Sequence, residues 1–330
     1  MLLAEKLNNS LILYIKILFN CKNHKSKKYT NIKMIANIFK EGNSMIASKS
    51  ALSIALVIVA VISFAAGLYS APYILPKPVE EKPKTMWEII KERGKIIIGS
   101  SPDWPPYEFL DPEGKFTGFE VELMEMIAEK LGLKVEWRAM GFDLIIPEVR
   151  AKTIDLGVSG FSVTPERLEI VQFTMPHSIT EGQIIMLKSR ADELGITTLE
   201  SLEELGVYKL KCGLQVGTTQ EEELMSLISA GKLPPETMQT YEDYLLALED
   251  MKRGVIDCIY AETPVTSWWI LEAEKKGEEP IVVIYRRPYW PVAFVAHKDA
   301  DELVAKINGA LAQLIAEGKV EELKKKWKCL

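Results

Sequence analysis

The chain has 330 residues, 48% of them hydrophobic and 26% charged, which is enough for one large or two medium globular domains with a substantial core. Its formal charge of −6 is unevenly spread: residues 1–79 hold ten Lys against two Glu, leaving 30 Lys and Arg against 44 Asp and Glu for the remainder. So acidic a globular part excludes nucleic acid as its partner.

Residues 1–44 are rich in Asn and Lys and read as a non-structural or misassigned extension, with Met45 as the expected true start. Residues 45–71 follow, in which Lys49 precedes the apolar run Ala51–Tyr69 and no charge falls between Ser50 and Pro76. A run of that length suits either a membrane span of about 20 residues or the apolar part of a secretory signal. Tyr69-Ser70-Ala71 is a poor cleavage site and no Cys follows to carry a lipid, so an uncleaved membrane anchor is preferred over a cleaved signal. Both readings place the rest of the chain outside the cytoplasm. Residues 72–84, with Pro72, Pro76, Pro78 and Pro83, form an extended semi-rigid tether.

From Thr85 onward, strand and helix patterns alternate. A helix is predicted over Met86–Arg93, a strand over Lys95–Ser100, a turn at Asp111–Gly114, a helix over Phe119–Leu131 and a strand over Leu133–Arg138. A helix near Asp143–Ala151, a strand ending at Gly157, a short helix through Arg167 and a strand over Gln183–Lys188 complete a first unit. The second repeats the alternation: helix Thr198–Leu205, strand Lys209–Gln215, helix Thr219–Ser229, short strand Thr237–Thr240, helix Tyr241–Arg253, strand Val255–Tyr260, helix Pro264–Lys276 and strand Ile281–Tyr285. Strand Val292–Ala296 and helices Asp301–Glu317 and Val320–Trp327 then return to the first unit.

Such alternation predicts an α/β chain of two lobes, each a mainly parallel sheet flanked by helices, with a cleft between them. Lobe 1 is expected to comprise 85–188 and 291–330, and lobe 2 to comprise 189–290, joined by extended strands near 188 and 290. Ligands of open α/β sheets bind at the carboxyl ends of the strands, so the cleft is the expected site.

Ser159-Gly-Phe-Ser-Val-Thr-Pro-Glu-Arg167 follows the strand pattern Ile154–Val158, and Thr164-Pro165-Glu166 opens a helix with Pro at its first position. Its Arg offers a planar fork for two carboxylate oxygens, while Ser159, Ser162 and backbone N–H groups can satisfy the remaining lone pairs. Glu262 stands directly after the strand of the second unit, just before Thr263-Pro264. Alone it could simply complement a helix dipole. Set across a cleft from Arg167, it makes a pair of fixed opposite charges suited to an α-amino acid. Trp104, on a loop between prolines, is expected to be exposed, and Phe142 fits core and pocket equally; either ring could stack on a ligand side chain. Gln215-Val-Gly-Thr-Thr-Gln220 runs from a strand into a helix, so Thr218 and Thr219 either complete a carboxylate site or merely cap the helix.

Four Cys, at 21, 212, 258 and 329, have no C-x-x-C spacing, and Cys212 and Cys258 lie in apolar strand patterns, where buried thiols are expected rather than a disulfide. Three His show no metal-ligand spacing, and phosphate-binding and hydrolase motifs are missing. No cofactor and no metal are therefore expected.

Pro105-Pro-Tyr-Glu-Phe109, Gly118-Phe-Glu-Val-Glu-Leu123, Leu144–Pro147, Ile154–Gly160, Ser162–Arg167, Val216–Thr219 and Gly254–Asp257 together resemble the extracytoplasmic solute-binding proteins of polar amino acid ABC transporters, family 3, with the type 2 periplasmic binding protein fold. The resemblance covers residues 85–330. It implies a monomeric, non-enzymatic binding protein that delivers a polar amino acid to a transporter permease. It also implies that Arg167 grips the ligand carboxylate with help from Ser162, the Gly160 N–H and Thr219, that Trp104 and Phe142 sandwich the side chain, and that Glu262 holds the ammonium. Three departures stand out: Glu262 replaces the usual Asp, Ser101 stands where members that bind cationic side chains often carry an acid, and Phe173-Thr-Met-Pro176 replaces Phe-Ser-Asp-Pro. Gln215 could hydrogen-bond a side-chain amide or carboxylate, making glutamine or another neutral polar amino acid the first guess. The alternative is an enzyme resembling the cyclohexadienyl dehydratases, which requires a general acid one turn beyond Glu262, where this chain has Val265.

Overall fold

The computed structural model describes residues 57–64 and 83–329. The extension 1–44, most of 45–71 and nearly all of the tether lie outside the described residues. Residues 57–64 of the apolar run are helical, and among the described residues no helix is long and apolar enough to cross a membrane.

Residues from Pro83 to the C-terminal end form one compact unit. Its first elements are α1 (Met86–Arg93), β1 (Lys95–Ser100), β2 (Asp103–Trp104), β3 (Glu108–Leu110), β4 (Phe116–Thr117), α2 (Phe119–Leu131), β5 (Lys134–Ala139) and α3 (Phe142–Arg150). Then come β6 (Leu156–Gly157), α4 (Pro165–Ile170), β7 (Gln172–Phe173), β8 (Ser178–Leu187), α5 (Lys188–Leu194), α6 (Glu204–Val207), β9 (Cys212–Gln215) and α7 (Thr219–Ser229). The chain finishes with β10 (Met238–Tyr241), α8 (Tyr244–Lys252), β11 (Cys258–Glu262), α9 (Thr263–Lys276), β12 (Ile281–Val292), β13 (Val295–Ala296), α10 (Asp301–Ala316) and α11 (Lys319–Trp327).

Two five-stranded sheets define two lobes, ordered β5-β1-β6-β13-β7 and β10-β9-β11-β8-β12. In the first, β1 pairs in parallel with β5 and β6, whereas β13 runs antiparallel to β6 and β7. The second mirrors this, with β9 parallel to β10 and β11, and β8 antiparallel to β11 and β12. The expectation of mainly parallel sheets therefore needs correction to mixed ones. The cause is topological: β8 and β12 carry the chain into the second lobe and out again, so they must run against the strands formed by local βαβ units.

Strand β1, KIIIGS, is buried along nearly its whole length, as an apolar run covered on both faces must be. Helix α2 turns Phe119, Val121, Leu123, Met124, Ile127 and Ala128 inward at helical spacing, and α10 packs on it through a matching stripe that includes Leu303, Ile307, Leu311 and Leu314. Thr85 begins α1 with a complete capping box, its hydroxyl accepting from the Glu88 N–H while the Glu88 carboxylate accepts from the Thr85 N–H.

Several local expectations failed. The predicted helix Thr198–Leu205 reduces to the four residues of α6, and α5 begins where strand was expected to continue. Predicted strands at 281–285 and 292–296 are instead the long β12 and the two-residue β13, and β12 tolerates Pro288 and Pro291 as an edge strand. The loop through Trp104 belongs to a small antiparallel sheet, β2-β3-β4. Cys212 and Cys258 face each other on neighbouring strands as buried free thiols, as the sequence led us to expect.

Candidate functional site

The candidate side chains stand at the carboxyl ends of parallel strands. Ser100 ends β1 and Ser101 follows it, the Ser159–Ser162 loop follows β6, Gln215 ends β9, and Glu262 ends β11. Between them lies a small, partly enclosed cavity of about 30 Å³, closed down well below the volume of an occupied small-molecule site. All ten sequence-predicted residues line it: Trp104, Phe142, Ser159, Gly160, Ser162, Arg167, Gln215, Thr218, Thr219 and Glu262. Asp103, Glu108, Gln220 and Tyr244 line it too and were missed.

Arg167 sits on the short helix α4, whose N-cap Thr164 accepts from the Arg167 N–H. Its side chain is buried, and among the described residues no carboxylate lies within salt-bridge distance. One guanidinium nitrogen donates to the Ser162 carbonyl at 3.0 Å and another to the Gly217 carbonyl at 3.0 Å, the latter across the lobes. The rings of Phe142 and Phe161, themselves stacked at 4.7 Å, lie 5.8 and 5.6 Å from its central carbon. Burial lowers the Arg167 pKa, but a guanidinium stays charged. Carbonyl dipoles and ring faces hold this cation in place without neutralising it, so an anion entering the cavity meets an uncompensated, oriented fork.

Glu262 is buried and well satisfied. Its Oε1 accepts from the Ser162 hydroxyl at 2.8 Å and from Gln220 Nε2 at 3.2 Å, and its Oε2 accepts from the Thr180 hydroxyl at 2.5 Å. Arg287, reaching from β12, brings a guanidinium nitrogen to 3.7 Å from Oε1, donates to the Thr219 hydroxyl at 2.8 Å and pairs with Glu223. A Cβ on Gly182 of β8 would lie 2.2 Å from the Arg287 Nε, so that glycine makes room for the side chain. Sequence reasoning did not find Arg287. It lies on a bulged strand beside two prolines, where no pattern predicts the direction of a side chain.

The other wall is acidic. Asp103 Oδ2 accepts from Gln215 Nε2 at 2.8 Å and from the Tyr244 N–H at 3.0 Å, so a lobe 1 carboxylate caps the start of α8 in lobe 2, while Oδ1 accepts from the Ser101 hydroxyl at 2.7 Å. Burial pushes the Asp103 carboxyl up to about 6. Glu108 is wholly buried. Its Oε1 accepts from the Ser159 hydroxyl at 3.1 Å, its Oε2 has no hydrogen-bond partner among the described residues, and burial, reinforced by the charges of Glu120 and Asp103, raises its pKa well above the carboxylate range. Behind it, Glu120 Oε1 lies 3.0 Å from His177 Nε2.

Several expected roles change. The Gly160 N–H, expected to meet a ligand carboxylate, donates to Glu120 Oε2 at 3.0 Å, because burying that acid demands a donor. Trp104 is buried rather than exposed, packed edge-on against Tyr107 at 5.1 Å, and Gly160 at φ +58° passes so close that a Cβ there would sit 2.2 Å from its ring. Thr218 caps α7, its hydroxyl accepting from the Glu221 N–H and donating to the Gln215 carbonyl at 2.6 Å. The Ser162 hydroxyl serves Glu262 in the other lobe rather than the Arg167 side of the cavity.

Residues 96–329 match the family of bacterial extracellular solute-binding proteins, family 3. The chain belongs to that family. Its members work outside the cytoplasm. Among curated relatives, the L-cystine-binding protein TcyJ of Escherichia coli K12 is 27% identical over 241 residues, covering 72% of this chain and 84% of TcyJ. Among solved structures, a substrate-binding protein of an ABC uptake transporter from Streptococcus pneumoniae with bound histidine superposes with a TM-score of 0.65 at 26% identity, covering 73% of this chain and 95% of that one. The ancestral amino acid-binding protein AncCDT-1, a precursor of cyclohexadienyl dehydratase, gives a TM-score of 0.63 at 29% identity, covering 74% and 99%.

Proposed function

We propose that this family 3 protein binds a polar α-amino acid in the cleft and presents it, lobes closed, to the permease of an ABC transporter. The supporting observation is Arg167: a buried, oriented guanidinium with no carboxylate beside it among the described residues, facing the cavity between the two sheets. The ligand carboxylate replaces the Gly217 and Ser162 carbonyls on the Arg167 fork. Among the described residues Glu262 Oε2 accepts only from Thr180, and it keeps room for one further donor, the ligand ammonium. Trp104 and Phe142 flank the side chain, and Thr219 and Gln215 are held at the cavity wall by Arg287 and Asp103 respectively.

Closure then follows from charge placement. Arg167 belongs to the first lobe and Glu262 to the second, so only the closed form brings both to one zwitterion. The polypeptide from 45 to 71 anchors or exports the chain, residues 72–84 tether it, the lobe built on each sheet moves as one body, with β8 part of the second lobe rather than, as the expected span 85–188 had it, of the first, and the binding unit works as a monomer without catalysis. Val265, where the dehydratase reading requires an acid, is apolar and fully buried.

Calorimetry on Arg167→Ala tests the reading. Losing the fork leaves the ligand carboxylate unpaired in a dry cleft, a loss of about 3 kcal/mol, or roughly 100-fold in affinity. Affinity within a few-fold of wild type would refute the assignment.

A further inference from the structure

Resting on the amino-acid reading above, we propose that Asp103, backed by Glu108, is the specificity-determining acid of the cleft, and that the ligand is an amino acid with a cationic side chain. Three acids line the cavity, Asp103, Glu108 and Glu262, against one base, Arg167. Glu262 has its own compensation in Arg287 at 3.7 Å. The other two buried acids among the described residues follow the same habit: Asp155 pairs with Arg93, and Glu120 lies 3.0 Å from His177. Asp103 and Glu108 break it. Both are nearly or fully buried, and among the described residues neither has a Lys, Arg or His within 4.0 Å.

The donors they do have are neutral and too few. Asp103 accepts from Gln215, the Tyr244 N–H and Ser101, which leaves part of Oδ1 free, and Glu108, a residue of the cavity lining, has an Oε2 that accepts from no donor among the described residues. A buried carboxylate lacking a counter-ion is costly, and a ligand that carries the missing cation recovers that cost on binding. With the ligand carboxylate on Arg167 and its ammonium on Glu262, the acids left over match a third, positive group. The Ser at 101, which suggested a neutral ligand, is instead a donor to the acid two residues along. Gln215 likewise commits its Nε2 to Asp103 and to the Glu242 carbonyl, at 2.8 and 2.9 Å, so its amide nitrogen is not free to donate to a glutamine side chain.

Arginine and citrulline, near-isosteres that differ in charge, provide the test, with glutamine and lysine alongside. Calorimetry on the wild-type protein at pH 7.5 is expected to show arginine or lysine binding at least about tenfold more tightly than citrulline and glutamine, the worth of one charge-assisted pair. Asp103→Asn is expected to weaken arginine at least about tenfold and to shrink the arginine-to-citrulline ratio, with circular dichroism confirming that the variant is folded. Glu108→Gln is expected to shrink the ratio less. Equal or tighter binding of citrulline or glutamine by the wild type overturns this proposal while leaving the amino-acid reading intact, as does an unchanged ratio in folded Asp103→Asn. Silence with all four ligands overturns both.

Discussion

Asp103→Asn also makes a prediction about stability, with a sign opposite to its effect on ligand affinity. Burial lifts the Asp103 carboxyl from its ordinary 3.8 to about 6, against the lowering effect of its Ser101 and Tyr244 hydrogen bonds and with help from the nearby Asp243 charge. That rise corresponds to about 3 kcal/mol in favour of the protonated form. A carboxyl whose native pKa lies above its unfolded value stabilises the fold fully below that unfolded value, near 3.9, and the contribution is lost as pH climbs through about 6. Of the total, about 2 kcal/mol is lost between pH 4.5 and pH 8. An asparagine does not titrate. The stability of the variant relative to wild type, read from urea unfolding without ligand, should therefore rise by about 2 kcal/mol between those two pH values. Differences in hydrogen bonding between Asp and Asn are common to both pH values and cancel. A relative stability that stays constant within about 0.5 kcal/mol would refute the claim that the cleft buries this carboxyl in a charged, uncompensated state.

Gly160→Ala should both destabilise the fold and weaken binding, because the residue holds φ +58° and its new Cβ would lie 2.2 Å from the Trp104 ring. About 2 kcal/mol is expected, a fall of roughly 4–8 °C in melting temperature, and an unchanged melting curve would contradict the packing described. Cys212 and Cys258 should resist alkylation in the native protein and react after unfolding without prior reduction, since both are fully buried free thiols and hydrogen bonding to Cys212 together with burial raises the Cys258 pKa. A mass spectrum of the unreduced, alkylated protein showing a disulfide between them would count against it. Glu262→Gln should weaken amino acid binding by at least about tenfold through the lost ammonium contact while preserving the hydrogen bond from Ser162, and calorimetry showing full affinity would remove Glu262 from the site.

Most of the fold was legible in the sequence because it rests on long periodic segments. Helix α2 and helix α1 lie where their apolar spacing and caps put them, and β1 is the apolar run it resembles. Short or context-held pieces were not legible. Two-residue strands such as β2 and β7 exist only because a partner strand lies alongside, and the antiparallel direction of β8 follows from crossing between lobes, not from any local pattern. The site was legible in membership but not in roles. Arg167 and Glu262 announced themselves by standing at strand-to-helix junctions, and each does line the cavity. Asp103 and Glu108 looked like ordinary polar residues of a proline-rich loop, because the sequence gives no sign that β2 and β3 fold them inward. Arg287 was hidden for the same reason, since the space it fills depends on Gly182 in another strand.

The most direct test of the account is a crystal structure of the protein with a bound amino acid. The account predicts the ligand carboxylate on the Arg167 fork at about 3 Å, the Gly217 carbonyl released from that guanidinium, and the ammonium beside Glu262. A ligand whose carboxylate lies elsewhere, with Arg167 still bound to the Gly217 and Ser162 carbonyls, would contradict it.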